Sequence, residues 1–278
     1  AGFDQIDFEN KYAAIKIHFG EKGNLAFLRP NYAKVVVDLI KDLGGKPFLT
    51  DANTMYVGSR KTALDHLDTA YVNGFSPFST GCHVIIADGL KGTDDVEVPV
   101  HGGVLCKTAK IGRAIMDADI IISLSHFKGH EMAGFGGALK NLGMGCGSRG
   151  GKMEMHSAGK PYVKQKYCIG CRACAKICAH DAPQFDETGK ASIDHNKCVG
   201  CGRCIGACPK DAVKIIQKNA EKTRLAEAKA VAKELAAKFS NAHVDTILCL
   251  DGMTLVGACL AEALCQGSRP AANANEIA

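Results

Sequence analysis

Short apolar runs and longer amphipathic stretches alternate along the first 158 residues. Ala13–Phe19 (AAIKIHF) is compact and apolar, which predicts a buried strand. Tyr32–Leu43 has helical spacing and stops at Gly44–Gly45, a signal for the end of a helix. Pro47–Thr50 predicts a second strand that runs into Asp51, and Arg60–Asn73 predicts a second helix closed by Gly74. Val84–Ala87 predicts a buried strand ending at Asp88–Gly89, and Val96–Val100 a short one. Ile111–Asp117 reads as helical and Ile120–Leu124 as another buried strand. Apolar strands alternating with amphipathic helices predict an α/β domain over residues 1–158, layered around a mostly parallel sheet.

Polar residues cluster just after these strands: His18, Asp51, Asp88, Ser125 and His126. Open α/β sheets bind ligands at the carboxyl ends of their strands. Asp and Ser also end strands as ordinary turn residues, and for Asp51 and Asp88 the two readings weigh equally. The last strand feeds a glycine-rich loop, residues 125–152, in which nine of the 23 residues from Gly129 to Gly151 are glycine. Glycine permits close backbone approach, and His126, Lys128, His130, Lys140 and Arg149 add titratable or cationic groups. The combination suits an anionic ligand or an organic cofactor, with His126, Lys128, Gly134, Gly136 and Gly137 as binding residues; the alternative is a flexible cover over the sheet. The segment GFGGALK has the spacing of neither a phosphate loop nor a dinucleotide fingerprint. Cys146, set among glycines, is either a reactive or ligating thiol or a small residue in a tight loop.

Composition changes the picture at one point. The formal net charge of +5 over 278 residues does not call for a nucleic-acid partner. No apolar run reaches the roughly 18–20 residues of a membrane helix, so no membrane insertion is expected. The chain opens with Ala1 and reaches its first strand early, so a longer product with further upstream sequence is expected. Fourteen cysteines is a high count. In a long chain with no visible export signal, clustered cysteines read as metal ligands kept reduced in the cytoplasm.

Eight of those cysteines form two runs, Cys168-x2-Cys171-x2-Cys174-x3-Cys178 and Cys198-x2-Cys201-x2-Cys204-x3-Cys208, the second followed by Pro209. Each cysteine of the second run lies 30 residues after its counterpart, and Gly170/Gly200, Asp181/Asp211 and Ala182/Ala212 repeat with them. Three cysteines two residues apart wrap one cubane, and the fourth leaves toward the other. This assigns Cys168, Cys171, Cys174 and Cys208 to one [4Fe–4S] cluster, and Cys198, Cys201, Cys204 and Cys178 to a second. Structural zinc favours paired knuckles with a longer gap and fits this spacing poorly. The segment, residues 159–217, resembles the two-cluster bacterial ferredoxins, with one departure: Ala179, not proline, follows Cys178. The resemblance implies a small α+β ferredoxin-like domain and one-electron transfer with a redox partner such as ferredoxin or an oxidoreductase.

Two further resemblances bear on the larger part. HFGEKGN (18–24), RPNY (29–32), TDANTMYVGSR (50–60), ALDH (63–66), ADGLKGTDD (87–95) and the stretch 125–157, with the paired cysteine runs after them, resemble the domain-of-unknown-function 362 family. That family comprises iron–sulfur proteins of anaerobic bacteria and archaea, and the likeness spans about residues 10–215. More remotely, His130 and Lys140, ten residues apart around Gly134-Phe-Gly-Gly137, resemble a segment of the nickel-pincer lactate racemases. That likeness implies Lys140 as a cofactor or substrate anchor and His130 as a general base, the two catalytic candidates. His66 is a loose counterpart of a second racemase histidine and reads as an ordinary helix residue.

Residues 218–278 predict a helix over 219–239, a strand at Val244–Leu250, a turn at Asp251–Gly252, a helix at Thr254–Leu264 and a disordered end. This tail departs from the family pattern after about residue 218 and resembles a piece of a type I phosphoribosyltransferase without its catalytic loop. The leading expectation is a cytoplasmic iron–sulfur electron-transfer protein, acting as an oxidoreductase if a ligand binds at the glycine-rich loop. Its rivals are a non-redox enzyme resembling a 2-hydroxy-acid racemase with accessory clusters, and a protein whose clusters are purely structural.

Overall fold

The computed structural model describes residues 2–56, 58–101, 107–130, 134–157 and 160–215, except the side chains of 129, 130, 134, 135, 156 and 157. The elements expected in the tail lie outside the described residues.

Four strands form a parallel sheet in the order β3-β2-β1-β6: β1 (Tyr12–Ile17), β2 (Lys46–Asp51), β3 (Val84–Ile86) and β6 (Ile120–Leu124). The chain lays β2 and β3 on one side of β1, then returns to place β6 on the other. β1 pairs Ala13 with both Pro47 and Ile120, so it is the central strand of its neighbours. Its alternation sorts the two faces. Ala13, Ile15, Ile17 and Phe19 enter one apolar core, whereas Ala14 packs with Phe48 and Ala118 on the other face. Lys16 shares that second face and is 1% exposed.

Helix α1 (Pro30–Asp42) buries Ala33, Val36, Val37 and Ile40, a spacing that gives a helix one apolar stripe. Proline occupies its first turn, where no intrahelical N–H bond is lost, and Gly44 follows its end at φ +81°. Helix α2 (Ala63–Val72) starts at Thr62, whose hydroxyl accepts from the Asp65 N–H and donates to the Asp65 carboxylate. The short α3 (Pro77–Thr80) follows. Both α1 and α2 contribute to the first core, with Val37, Ile40 and Ala70 against Ile15 and Leu49.

Two sequence expectations need correction here. Ile111–Asp117 is not one helix. Thr108–Gly112 forms β5, antiparallel to β4 (Asp95–Pro99), and only Arg113–Met116 is helical, as α4. Ile111 is buried opposite Val96 while Lys110 reaches Glu97 and Glu154, and this alternation of sides is the mark of a strand. Nor is 125–152 one loop. It holds the hairpin β7 (Lys128–His130) and β8 (Gly134–Gly136), helix α5 (Ala138–Gly143) and the start of α6 (Arg149–Ser157). Ala138, Leu139 and Leu142 supply the apolar face that fastens α5 to the second core.

Residues 160–215 repeat one unit. β9 (Pro161–Val163) pairs antiparallel with β12 (Val213–Ile215), and β10 (Pro183–Phe185) with β11 (Ala191–Ile193). Two five-residue helices, α7 (Ala173–Ile177) and α8 (Arg203–Ala207), lie between them. The backbone repeats as well: φ is +69° at Gly170 and +76° at Gly200, +59° at Arg172 and +69° at Gly202, +46° at Asp181 and +50° at Asp211.

Candidate functional site

The carboxyl ends of β1, β2 and β6 open into a cleft of about 550 Å³. It sits where the strand order reverses between β1 and β6, the place at which an open α/β sheet leaves a crevice. Its floor is a buried charge network. The Lys16 Nζ lies 3.0 Å from one Asp51 oxygen, and an Arg60 NH1 lies 3.3 Å from the other. Arg60 also pairs with Glu21 at 2.6 Å. Burial opposes ionisation of Asp51, but Lys16, with lesser help from His66 and Lys152, holds its carboxyl well below the usual range.

His66 is fully buried beside this carboxylate, with Nε2 3.6 Å from Asp51, too long for a hydrogen bond, and its ring edge-on to Phe19. Burial keeps it neutral, below the usual histidine range, against the pull of Asp51. It is therefore not an ordinary surface helix residue. His18 reaches the solvent of the cleft and accepts from the Gly20 N–H. Crowding and then Arg60 push its imidazole below the usual range, an effect that water in the open cleft moderates.

Asn141 of α5 ties the two strands that flank the crevice. Its carbonyl accepts from Lys16 Nζ at 2.8 Å, and its amide nitrogen donates to Lys16 O, Ser123 Oγ, Leu124 O and Ser125 Oγ at 3.0–3.2 Å. Gly145 is required here: a Cβ on it would run into the backbone carbonyl of Asn141, with Lys16 Nζ at 2.8 Å beyond it. Lys152 of α6 closes the floor by donating to the carbonyls of Ala52 and Asn53. Burial moves its ammonium down to about 8, against the pull of Asp51 and Asp88. Asp88 plays a different part. It accepts from the N–H and the amide of Asn53 and from the Arg149 N–H, and burial raises its carboxyl. It fastens loops behind the cleft.

The structure brings His126, Lys128, Gly136, Gly137 and Lys140, all singled out from sequence, to this one cleft. Lys140 is half-buried, and desolvation, with the charge of Lys128, lowers its ammonium to about 8. His130 pairs with Gly134 in the hairpin, and its side chain lies outside the described residues. Cys146 is wholly buried in the second core, and burial lifts its thiol to about 12. It is the small packing residue, not the reactive thiol. Lys16, Arg60, Asn141 and Lys152 were not singled out from the sequence. The available signal was a lysine inside an otherwise apolar strand.

Two smaller apolar cavities lie among the cysteines. One is lined by Cys168, Cys171, Cys174 and Cys208, the other by Cys178, Cys198, Cys201 and Cys204. These are the two sets expected from spacing, including the exchange of each fourth cysteine. The N–H of Ala191 donates to Cys168 Sγ at 3.3 Å, and that of Ala212 to Cys208 Sγ at 3.2 Å. Burial, then the neighbouring thiols, push Cys204 up to about 12, and burial also raises Cys174 and Cys198. Among the described residues no three His, Cys, Asp or Glu are arranged around a single ion.

The cleft and the cysteine cavities are linked through one apolar cluster. Met55 lines the cleft and belongs to the apolar cluster that holds Cys174, Ile205 and Cys208. Lys61 bridges the parts from the same loop, reaching Cys208 O at 3.3 Å and Asp211 at 2.6 Å. Arg149, 1% exposed, lies against Gly202 and Gly206 of the α8 segment. Its Nε donates to Thr54 O and its NH1 to Lys91 O, while its buried NH2 has no hydrogen-bond partner among the described residues.

The model of a family described as domain of unknown function (DUF362) matches residues 13–261, past the residue 218 at which the sequence reading has the family pattern end. No curated protein matches the chain. Among solved structures, the lactate racemase apoprotein from Thermoanaerobacterium thermosaccharolyticum is similar at a TM-score of 0.40 and 12% identity. That alignment covers 75% of this chain, which spans only 42% of the racemase chain. Since the DUF362 model matches most of the sequence, the chain belongs to the DUF362 family.

Proposed function

We propose that this protein binds two [4Fe–4S] clusters and moves electrons, one at a time, between a redox partner protein and a ligand in the cleft at the carboxyl edge of its sheet. The observation that carries this reading is the cysteine lining: two cavities are each lined by four cysteines, and Met55 of the cleft belongs to the same apolar cluster as Cys174 and Cys208.

The donor chemistry fits the group. Each cavity offers four thiols, an apolar lining and, in the first, N–H donors to sulfur, which is what a cubane requires of its surroundings. Cys168, Cys171, Cys174 and Cys208 would hold one, and Cys178, Cys198, Cys201 and Cys204 the other. When bound, such clusters supply one-electron storage and transfer. The rest falls to the chain: the thiols must lose their protons to bind iron, the apolar walls keep water away, and the hairpin carbonyls and amides set the loops. In the cleft, Lys140 and Lys128 attract an anionic group, and the Asp51 network fixes the floor.

Lys140 also supports a second reading. An amine brought down to about 8 can hold a substrate or exchange protons near neutral pH, as a non-redox 2-hydroxy-acid enzyme would require, with the clusters as accessories.

Anaerobic purification with iron and sulfide quantitation and EPR tests the main reading. About eight irons and eight sulfides per chain, with two interacting reduced cubanes, are expected. Cys208→Ser should impair the cluster whose other three ligands lie about 35 residues upstream (Cys168–Cys174), not its sequence neighbours. Native zinc in place of iron, or a chain that cannot be reconstituted, would remove the electron-transfer reading.

A further inference from the structure

The cleft contains more charge than its own network consumes. Asp51 is taken by Lys16 and Arg60, and Lys152 by two carbonyls. Lys128 and Lys140 are left without a hydrogen bond or ion pair among the described residues. They flank Gly136: a Cβ there would lie 3.7 Å from Lys140 Cδ and 3.9 Å from Lys128 Cγ. Two lysine side chains that flank one glycine carry charges that repel each other, and burial, then this repulsion, lowers the half-buried ammonium of Lys140. A single anionic group between them would relieve both the repulsion and the missing hydrogen bonds.

The remaining wall is of another kind. Phe27 and Met55 are buried apolar residues at its side, and Ala26 and Met144 continue it. A volume of about 550 Å³ exceeds what an inorganic anion fills and matches a small organic molecule.

We infer that the cleft binds an organic acid: one carboxylate or phosphate head between Lys128 and Lys140, and a ring-sized apolar body against Phe27, Met55 and Met144. This assignment rests on the cleft being the working site, as in the function proposed above, but not on the clusters. It gives the cleft a ligand class, and places that ligand's body against Met55, a member of the apolar cluster that also holds Cys174 and Cys208.

Calorimetric titration of the intact protein with four probes separates the parts of this claim: benzoate, phenyl phosphate, benzamide and inorganic phosphate. At least one of the two aromatic anions should bind, and Lys140→Met should weaken it by about tenfold or more, with Lys140→Arg restoring most of the loss. Benzamide binding as well as benzoate would remove the role of the charge. Inorganic phosphate binding as well as phenyl phosphate would remove the apolar body. No binding by either aromatic anion, or unchanged binding in Lys140→Met, would overturn the assignment outright. Iron measured on the same samples keeps the two readings apart, since anion binding in an iron-free protein would sink the redox proposal alone.

Discussion

At the scale of single residues, burial decides what each ionisable group can do. Lys16 and Asp51 sit 1% and 4% exposed at their side chains, and Lys16 holds the Asp51 carboxyl ionised. His66 is buried on the same carboxylate and stays neutral. Its folded pKa lies below the unfolded value of about 6.5, so below that pH the unfolded chain takes up a proton that the folded chain refuses. Stability should therefore fall as pH drops from about 6.5 toward 5, with a limiting slope of about 1.4 kcal/mol per unit from this residue. The Asp51 contribution, from a depressed carboxyl, is lost only at lower pH, below about 4. Thermal melts from pH 7.5 to 5 check this: His66→Leu should flatten the curve in that window, and an unaltered slope would count against a neutral His66. The sequence showed His66 as a helix histidine and Asp51 as an acid at a strand end, equally a binding-site or a turn residue, with nothing to bring the two together. Their 3.6 Å approach joins residues 15 apart through the packing of α2 on the sheet.

At the scale of elements, α6 and α8 are docked through glycine. Gly202 caps α8 at φ +69°, and a Cβ there would run into Met153 Sδ and lie 2.8 Å from Arg149 Cδ. Arg172 takes the equivalent position before α7 at φ +59°, so the turn itself admits a side chain. What forbids one at Gly202 is therefore mainly the neighbour. Gly202→Ala should destabilise the docking by about 1–3 kcal/mol, combining strain and overpacking. Arg172→Gly should cost far less in a denaturant titration followed by circular dichroism. A gain of stability in Arg172→Gly as large as the loss in Gly202→Ala would place the requirement in the backbone alone. The strands β1, β2, β3 and β6 and the helices α1 and α2 were legible because each carries an apolar run or stripe of its own period. β5 was not, because Ile111–Asp117 is too short for the two periods to separate, and only pairing with β4 chooses between them.

At the scale of the molecule, Arg149 joins the two halves. Its backbone and side chain bind Asp88, Thr54 and Lys91 of the α/β part, while its guanidinium lies against α8, near Cys201 and Cys204. Under the function proposed above, a fixed positive charge there would favour the reduced form of the cluster assigned to Cys178, Cys198, Cys201 and Cys204. Arg149→Met should lower that cluster's midpoint by on the order of tens of millivolts and leave the other nearly unchanged, with Arg149→Lys in between. EPR-monitored redox titration reads this directly. Two unshifted midpoints in a folded, iron-loaded variant would make Arg149 a purely structural tie.

The sequence by itself determined the chemistry that depends on local spacing. The two cysteine runs and their 30-residue repeat are local in sequence, and the two cavities are lined by those same eight cysteines, each fourth cysteine grouped with the other run. The glycine-rich stretch likewise announced His126, Lys128 and Lys140 through composition alone. Only the tertiary structure decided that these residues share a cleft with Lys16, Asp51 and Arg60, and that Met55 and Arg149 connect that cleft to the cysteines. The physical reason is range. Turn chemistry and ligand spacing act over a few bonds, whereas a salt bridge from β1 to the end of β2, or an arginine reaching across three loops, exists only once strands distant in sequence are laid side by side.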